Sequence, residues 1–242
     1  MSNSKLVNYT KLSPNHSGKR THSIDRITPH CVVGQCSVET LGNIFMNTAC
    51  EASCNYGIGY DGRVLLCVDE GNRSWCSSSN ANDQRAVTIE CASDTVAPYT
   101  MNSKVYNKLV ALCVDICKRN GKTKLLWFGN EDKTLNYSPK SGEMVLTVHR
   151  WFANKSCPGD WLYNRLGNLA DEVTVQLGGK TSNKENEEMI KYGSHNTATL
   201  AFKKQLITLY NMKIIKTKVD NSNGFGDGTL KAVKEAPVSY TH

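Results

Sequence analysis

Histidine, lysine and cysteine fall together in one short stretch, His149 to Cys157, reading HRWFANKSC. The apolar, β-branched run MVLTV precedes it, so a strand from Met144 to Trp151 is expected to carry His149, held by ladder hydrogen bonds. Cys157 follows in a loop with Pro158 and Gly159 that can fold back beside the histidine. Imidazole and thiolate both suit Zn²⁺, and a catalytic zinc takes three protein ligands and leaves one position open. Lys155, two residues before the cysteine, puts a cation at the same place. A buried histidine and a buried thiol are the plainer reading of such spacing, and a third ligand decides between the two. His30, in the strand-like run Ile27 to Val33, is the third-ligand candidate. Alone it reads rather as a satisfied strand histidine.

A carboxylate stands near the end of another apolar run, Val87-Thr88-Ile89-Glu90-Cys91. A charge there is costly unless it is paired or used. The simpler alternative is a strand-end glutamate reaching water.

The elements that must position these groups follow from periodicity and punctuation. Residues 1–23 read as an extended, polar N-terminal arm with His16 and His22 solvated. Ser37 is a good N-cap for a helix over 38–46, with Leu41, Ile44 and Phe45 on one face. Two apolar runs flank Asp61-Gly62, which favours a tight type I′ hairpin. Asn102 to Asn120 reads as an amphipathic helix with Val105, Leu109, Leu112 and Ile116 at the helical period and Gly121 just past its end. Leu125 to Gly129 reads as a buried strand or loop entry, and 130–142 as a polar loop at the rim of a cleft. Asp160 can cap a last helix with Leu162, Leu166, Leu169 and Val173 on one face. Strands and helices alternating in this way predict an α/β domain: a central mixed β-sheet flanked by helices, residues 1–179. A linker at 180–190 follows, then a small helical region over 191–242 with a helix-like run at 199–210.

Composition bounds the function. The chain of 242 residues is 39% hydrophobic and 21% charged, as in a globular protein, and has no apolar run of about 18 residues, so membrane insertion is not expected. Its polar N-terminus lacks the apolar core of a secretory signal, which favours a protein held in the cytoplasm. The net charge of +7 favours an anionic partner such as nucleic acid, an acidic membrane or an anionic cell wall. The basic residues form no run and no aromatic-basic RNA motif, so nucleic acid is not expected as the partner. The ten cysteines include no C-x-x-C pair and several sit in apolar runs. Nine are read as small buried hydrophobes and Cys157 as functional.

Four segments in this order resemble one family: TPHCVVGQ around His30, SCNYGIGYDG at 53–62, VTIE ending at Glu90, and HRWFANKSCPG at 149–159. They are similar to the zinc-dependent N-acetylmuramoyl-L-alanine amidases of the type-2 amidase family, which also contains peptidoglycan recognition proteins and phage lysins. The resemblance covers roughly residues 5–179. It implies one Zn²⁺ per chain on His30, His149 and Cys157, with Glu90 and Lys155 as catalytic residues. It implies bacterial peptidoglycan as partner and hydrolysis of the amide between N-acetylmuramic acid and L-alanine. It further implies an endolysin held in the host cytoplasm until a holin releases it to the wall. The alternative within the family is a recognition module that binds muropeptides without cutting them. Where some relatives carry a hairpin tyrosine and many a histidine, this chain has Cys54 and Asn55, and Tyr56 is expected to point to the opposite face. The tail, with VDNSNGFGDGTLKAV, resembles a shortened peptidoglycan-binding domain, though a plain helical tail explains it as well.

Overall fold

The structure, a computed structural model, describes residues 2–179, 190, 192, 193, 195 and 197–236. The chain divides into two compact units, Met1–Thr181 and Ser182–His242.

The first unit is built on a seven-stranded mixed sheet. Its strands are β1 (Tyr9–Thr10), β3 (Arg26–Cys31), β4 (Tyr56–Ile58), β5 (Val64–Leu66), β7 (Ala86–Cys91), β8 (Lys124–Leu126) and β9 (Glu143–Leu146), in the order β1-β5-β4-β7-β3-β9-β8. β4 and β5 pair antiparallel, and every other neighbouring pair is parallel. β2 (His16–Lys19) and β6 (Asn72–Ser74) form a separate antiparallel pair.

Side-chain alternation along the strands separates two apolar layers. On β5, Val64 and Leu66 join one layer and Leu65 the other. The larger layer holds helix α3 (Ser103–Arg119), with Val105, Leu109, Leu112 and Ile116 fully buried as their spacing predicts, and α6 (Leu166–Gln176) with Leu166, Leu169 and Val173. The smaller layer is covered by α1 (Val38–Met46), which Ser37 caps by accepting from the Thr40 amide, through Leu41 and Phe45. Short helices α2 (Asn80–Arg85), α4 (Glu131–Leu135) and α5 (Asp160–Tyr163) fill connections. This is the expected mixed sheet flanked by helices. Among the described residues, no helix is long and apolar enough to cross a membrane.

Five local expectations are corrected. The N-terminal arm is not a free arm: β1 extends the sheet beside β5, β2 pairs with β6, and Ser4, Ser13 and Asn15 are buried. His22 is exposed, but His16 is half-buried in β2. The hairpin turn is longer than two residues, because Gly59 N–H donates to the Arg63 carbonyl and the Asp61 carboxylate accepts from the Arg63 amide. Only Gly62 takes the left-handed conformation there, at φ +85°. Ile44 is 42% exposed rather than packed under α1. The expected last helix is two, α5 and α6, and Asp160 is the first residue of α5 rather than its cap.

The second unit contains α7 (Thr197–Asn211) and α8 (Asp227–Glu235) around a small core of Leu206, Ile215, Val219 and Ala232. Lys203 is buried and its ammonium donates to Asp220 at 2.7 Å, to the Gly224 carbonyl at 2.8 Å and to Ser222 at 3.1 Å. The expected linker lies outside the described residues except for Ile190, as does the terminal segment 237–242.

Candidate metal centre and its cleft

Register places the first two groups. β3 and β7 pair parallel with His30 directly opposite Glu90, so both side chains rise from the same face of the sheet. Gly57 of β4 is the next neighbour of Glu90. A Cβ there would meet Leu41 at 3.0 Å and Leu65 at 3.2 Å, so this face is the one under α1. Both residues lie at the carboxyl ends of parallel strands, where ligands of open α/β sheets bind.

His149 is not on a strand. β9 ends at Leu146, and His149 opens a single 3-10 turn, His149–Trp151. The departure is fixed by side chains. The Thr147 amide still donates to Ile27 at 3.1 Å, and its hydroxyl meets that of Thr28 at 2.7 Å and donates to Asn82 at 3.1 Å. The chain then turns, and Arg150 N–H donates to the Cys157 carbonyl at 3.1 Å, closing the loop that brings the cysteine back.

His30, His149 and Cys157 come together here, each offering a ligand atom within 4.8 Å of the others. Cys157 Sγ is 3.3 Å from His30 Nδ1, and the two imidazole rings are 5.0 Å apart. Glu90 Oε1 is 3.8 Å from His30 Nδ1. Lys155 is exposed on the rim. Ser78, which sequence reasoning did not single out, lies 2.9 Å from His149 Nε2 and leaves Nδ1 as the nitrogen free to bind a metal. Cys76 was likewise missed. Its thiol lies 3.8 Å from Glu90 Oε1, and with His30 and Glu90 it makes a second group of metal-ligand type. Nothing in the spacing of SWCSSSN marked either residue.

The electrostatics suit a cation. Burial, with the neighbouring His149 adding to it, pushes His30 well below its ordinary value. Burial and the Lys155 charge lower His149. Both imidazoles are thus neutral, the form that binds metal. The Cys157 thiol is pushed up, first by its hydrogen bond with Cys31 and then by burial. Burial raises the Glu90 carboxyl to about 7 against a smaller opposing effect of Cys76. His30 Nε2 and Glu90 Oε2 are buried without a partner. A buried polar set of two imidazoles, a thiol and a carboxylate with one oxygen unpartnered is costly as it stands. Two neutral nitrogens and one sulfur match the donor set of a three-ligand zinc site. The residues therefore fit a zinc ion.

The hairpin residues near the site have other work. Tyr56 is fully buried and donates to Glu70, which also binds Arg119 at 2.7 Å. The Asn55 side chain accepts from the Thr88 amide and donates to the carbonyls of Val68, Asp69 and Asn72.

Two cavities meet at His149 and Lys155. One, of about 410 Å³, has an apolar wall of Val32, Val33, Ile44 and Phe45 and contains Glu90 and Cys157. The other, of about 460 Å³, carries Arg73, Trp75, Ser78 and Asp83.

A mixed sheet with helices on both faces and a His-His-Cys cluster at its strand ends describes an amidase-type domain. The family profile described as N-acetylmuramoyl-L-alanine amidase matches residues 19–160, more than half of the chain, and the chain belongs to that family. Among solved structures it is similar to PlyL, at 14% identity over 68% of this chain and 95% of that one, TM-score 0.49. It is similar also to the hydrolase AmiA of Staphylococcus aureus in complex with its ligand, at 11% identity over 71% and 85%, TM-score 0.47. A third is the Drosophila peptidoglycan recognition protein SA, at 16% identity over 65% and 89%, TM-score 0.46. Comparison with curated proteins finds no match.

Proposed function

We propose that the protein is a zinc-dependent peptidoglycan hydrolase that cleaves the amide between N-acetylmuramic acid and L-alanine, with one Zn²⁺ on His30, His149 and Cys157. The observation that carries this reading is the convergence of those three ligand atoms beside a buried carboxylate with one oxygen unpartnered, in a chain of this family. When bound, zinc supplies Lewis acidity that polarises a carbonyl and makes water a nucleophile near neutral pH. Glu90, raised to about 7 by burial, is poised to accept a proton from the attacking water and return it to the leaving L-alanine amine. Lys155 stands at the junction of the two cavities, where its ammonium donates to the oxyanion of the tetrahedral carbon. His30, packed at 0% exposure on its strand, and His149, held by Ser78, keep their ligand nitrogens fixed.

The test is zinc content measured beside turbidity loss of a Gram-positive wall suspension, with and without a chelator. One zinc per chain with chelator-sensitive lysis that frees new L-alanine amino termini is expected. Bound zinc with muropeptide binding and no new amino termini would instead make the protein a recognition module.

A further inference from the structure

His30 faces two ways. Its Nδ1 lies 3.3 Å from Cys157 Sγ on one side and 3.8 Å from Glu90 Oε1 on the other. Glu90 Oε1 in turn lies 3.8 Å from Cys76 Sγ. His30, Cys76 and Glu90 form a second set whose ligand atoms all lie within 4.8 Å of one another. The ligands of a tetrahedral zinc, each about 2.0–2.3 Å from the ion, stand about 3.3–3.6 Å apart. Both separations measured around Glu90 come within a few tenths of an ångström of that spacing.

The backbone holds all three residues in place. His30 and Glu90 are direct neighbours across the β3–β7 ladder. Just before Cys76, the Ser53 amide donates to the Trp75 carbonyl at 2.9 Å and the Trp75 amide to Ser53 Oγ at 3.0 Å. The amides of Cys76 and Ser77 then donate to the Asp83 carboxylate at 3.0 Å and 3.2 Å. Ligands fixed in this way are preorganised for an ion. The set also lacks a cation. Among the described residues, the one basic side chain within ion-pair distance of Glu90 is His30. Burial keeps that imidazole neutral. Glu90 Oε2 is buried without a partner. A buried carboxylate with no cation beside it is an unmet demand for positive charge.

We propose that His30, Cys76 and Glu90 are a second seat for a thiophilic divalent cation such as Zn²⁺, and that an ion seated there is held out of catalysis. Nδ1 of His30 has a single lone pair, so an ion in one seat excludes an ion from the other, and the chain still binds one. Cys76 gives up its proton to solvent as the ion binds, as any thiolate ligand does. One neutral imidazole, one thiolate and one carboxylate cancel the two charges of the ion, whereas His30, His149 and Cys157 leave one positive charge. The neutral complex is the weaker Lewis acid, and Glu90, once a ligand, accepts no proton. The loss of catalysis rests on the proposed hydrolysis, whereas the seat does not.

The test loads the full-length, chelator-stripped protein with one equivalent of Co²⁺ and reads the near-ultraviolet charge-transfer band of a cobalt–thiolate bond beside metal content. Cys157→Ser removes the thiolate of the first seat and is expected to keep one cobalt and the band. Cys157→Ser combined with Cys76→Ser should lose both. If Cys157→Ser does not fold, His149→Ala breaks the first seat without removing a thiol, and adding Cys76→Ser to it should release the cobalt that His149→Ala alone retains. Loss of cobalt or of the band in folded Cys157→Ser, or a band that survives Cys76→Ser there, overturns the seat. Zinc-loaded Cys76→Ser with Cys157 intact should turn over a soluble muropeptide about twofold faster per bound zinc, as for two seats of equal affinity. Unchanged or slower turnover per zinc overturns the withdrawal from catalysis. Absence of turnover in both the parent and Cys76→Ser, with the cobalt results as expected, would overturn the proposed reaction and leave the seat standing.

Discussion

Glu90 is the residue whose position carries the most consequence, because burial, only weakly offset by the Cys76 thiol, sets both its reactivity and its cost. Its side chain is only 14% exposed, and its carboxyl is raised from 4.5 to about 7. A general base so placed contributes about 10²- to 10⁴-fold to the rate. Glu90→Gln should therefore retain zinc, assayed by metal analysis, and lose kcat by about that factor; a kcat near the parent value would place the base elsewhere. The same shift has a stability sign in the metal-free protein. A carboxyl whose folded pKa lies above its unfolded one incurs no penalty below about 4.5 and an increasing one as pH rises to about 7. Glu90→Gln should then raise the unfolding free energy at pH 8 by on the order of 3 kcal/mol and change it little at pH 4. Equal effects at both pH values, by denaturant titration, would show that the carboxylate is not strained. Cys157 behaves differently. Cys157→Ala removes a ligand and should lower zinc affinity and abolish turnover together, and zinc-dependent turnover in that variant would refute the ligand set.

Elements hold these residues through one polar knot. Thr28 on β3, Thr147 beyond β9 and Asn82 on α2 are all buried, and Asn82 Nδ2 reaches both Thr28 at 3.0 Å and Ser77 at 3.2 Å. The knot joins the strand of His30, the approach to His149 and the loop of Cys76 and Ser78. Thr147→Val preserves shape but strips partners from Thr28 and Asn82, and should cost about 1–3 kcal/mol. Zinc affinity should fall about tenfold, by competition with a chelating dye, as for loss of an outer-shell contact. Unchanged zinc affinity would confine the knot to a structural role. This is the level at which the sequence was only partly legible. Regular elements declared themselves where one periodicity spans many residues, as in α3, or where a capping residue precedes it, as Ser37 does for α1. His30, His149 and Glu90 stood out as polar groups in or at the end of apolar, strand-like runs, whereas Cys157 and Lys155 stood out by their spacing from His149 in a Pro-Gly loop. The short strands β1 and β2 were hidden because pairing with distant β5 and β6, not local pattern, makes them strands. His149 was misplaced by a similar route: MVLTV has strand propensity throughout, yet the Thr147 side chain takes over from ladder pairing after Leu146. Ser78 and Cys76 left no signal, because each matters only through a neighbour far away in the chain.

At the scale of the molecule, the division into Met1–Thr181 and Ser182–His242 separates two cores of unequal size. The proposed metal ligands, Glu90 and Lys155 all belong to the first. The second is too small for a large apolar core and relies in part on buried Lys203 paired with Asp220. We read it as a wall-binding region, and the chain's net charge of +7 as the attraction towards an anionic wall. That reading separates two quantities that act together in the whole chain. A chain ending at residue 181 should keep one zinc and its rate on a soluble muropeptide, because no group of the cleft is lost. Its retention on intact walls in sedimentation assays should fall, most at low ionic strength, where surface charges are screened only beyond roughly 10–30 Å. Salt should weaken retention of the full chain and bring it towards that of the shortened one. Equal retention of both chains at every salt concentration would return residues 191–242 to a plain helical tail. A loss of zinc or of soluble turnover on shortening would show instead that the first unit depends on the second for its fold.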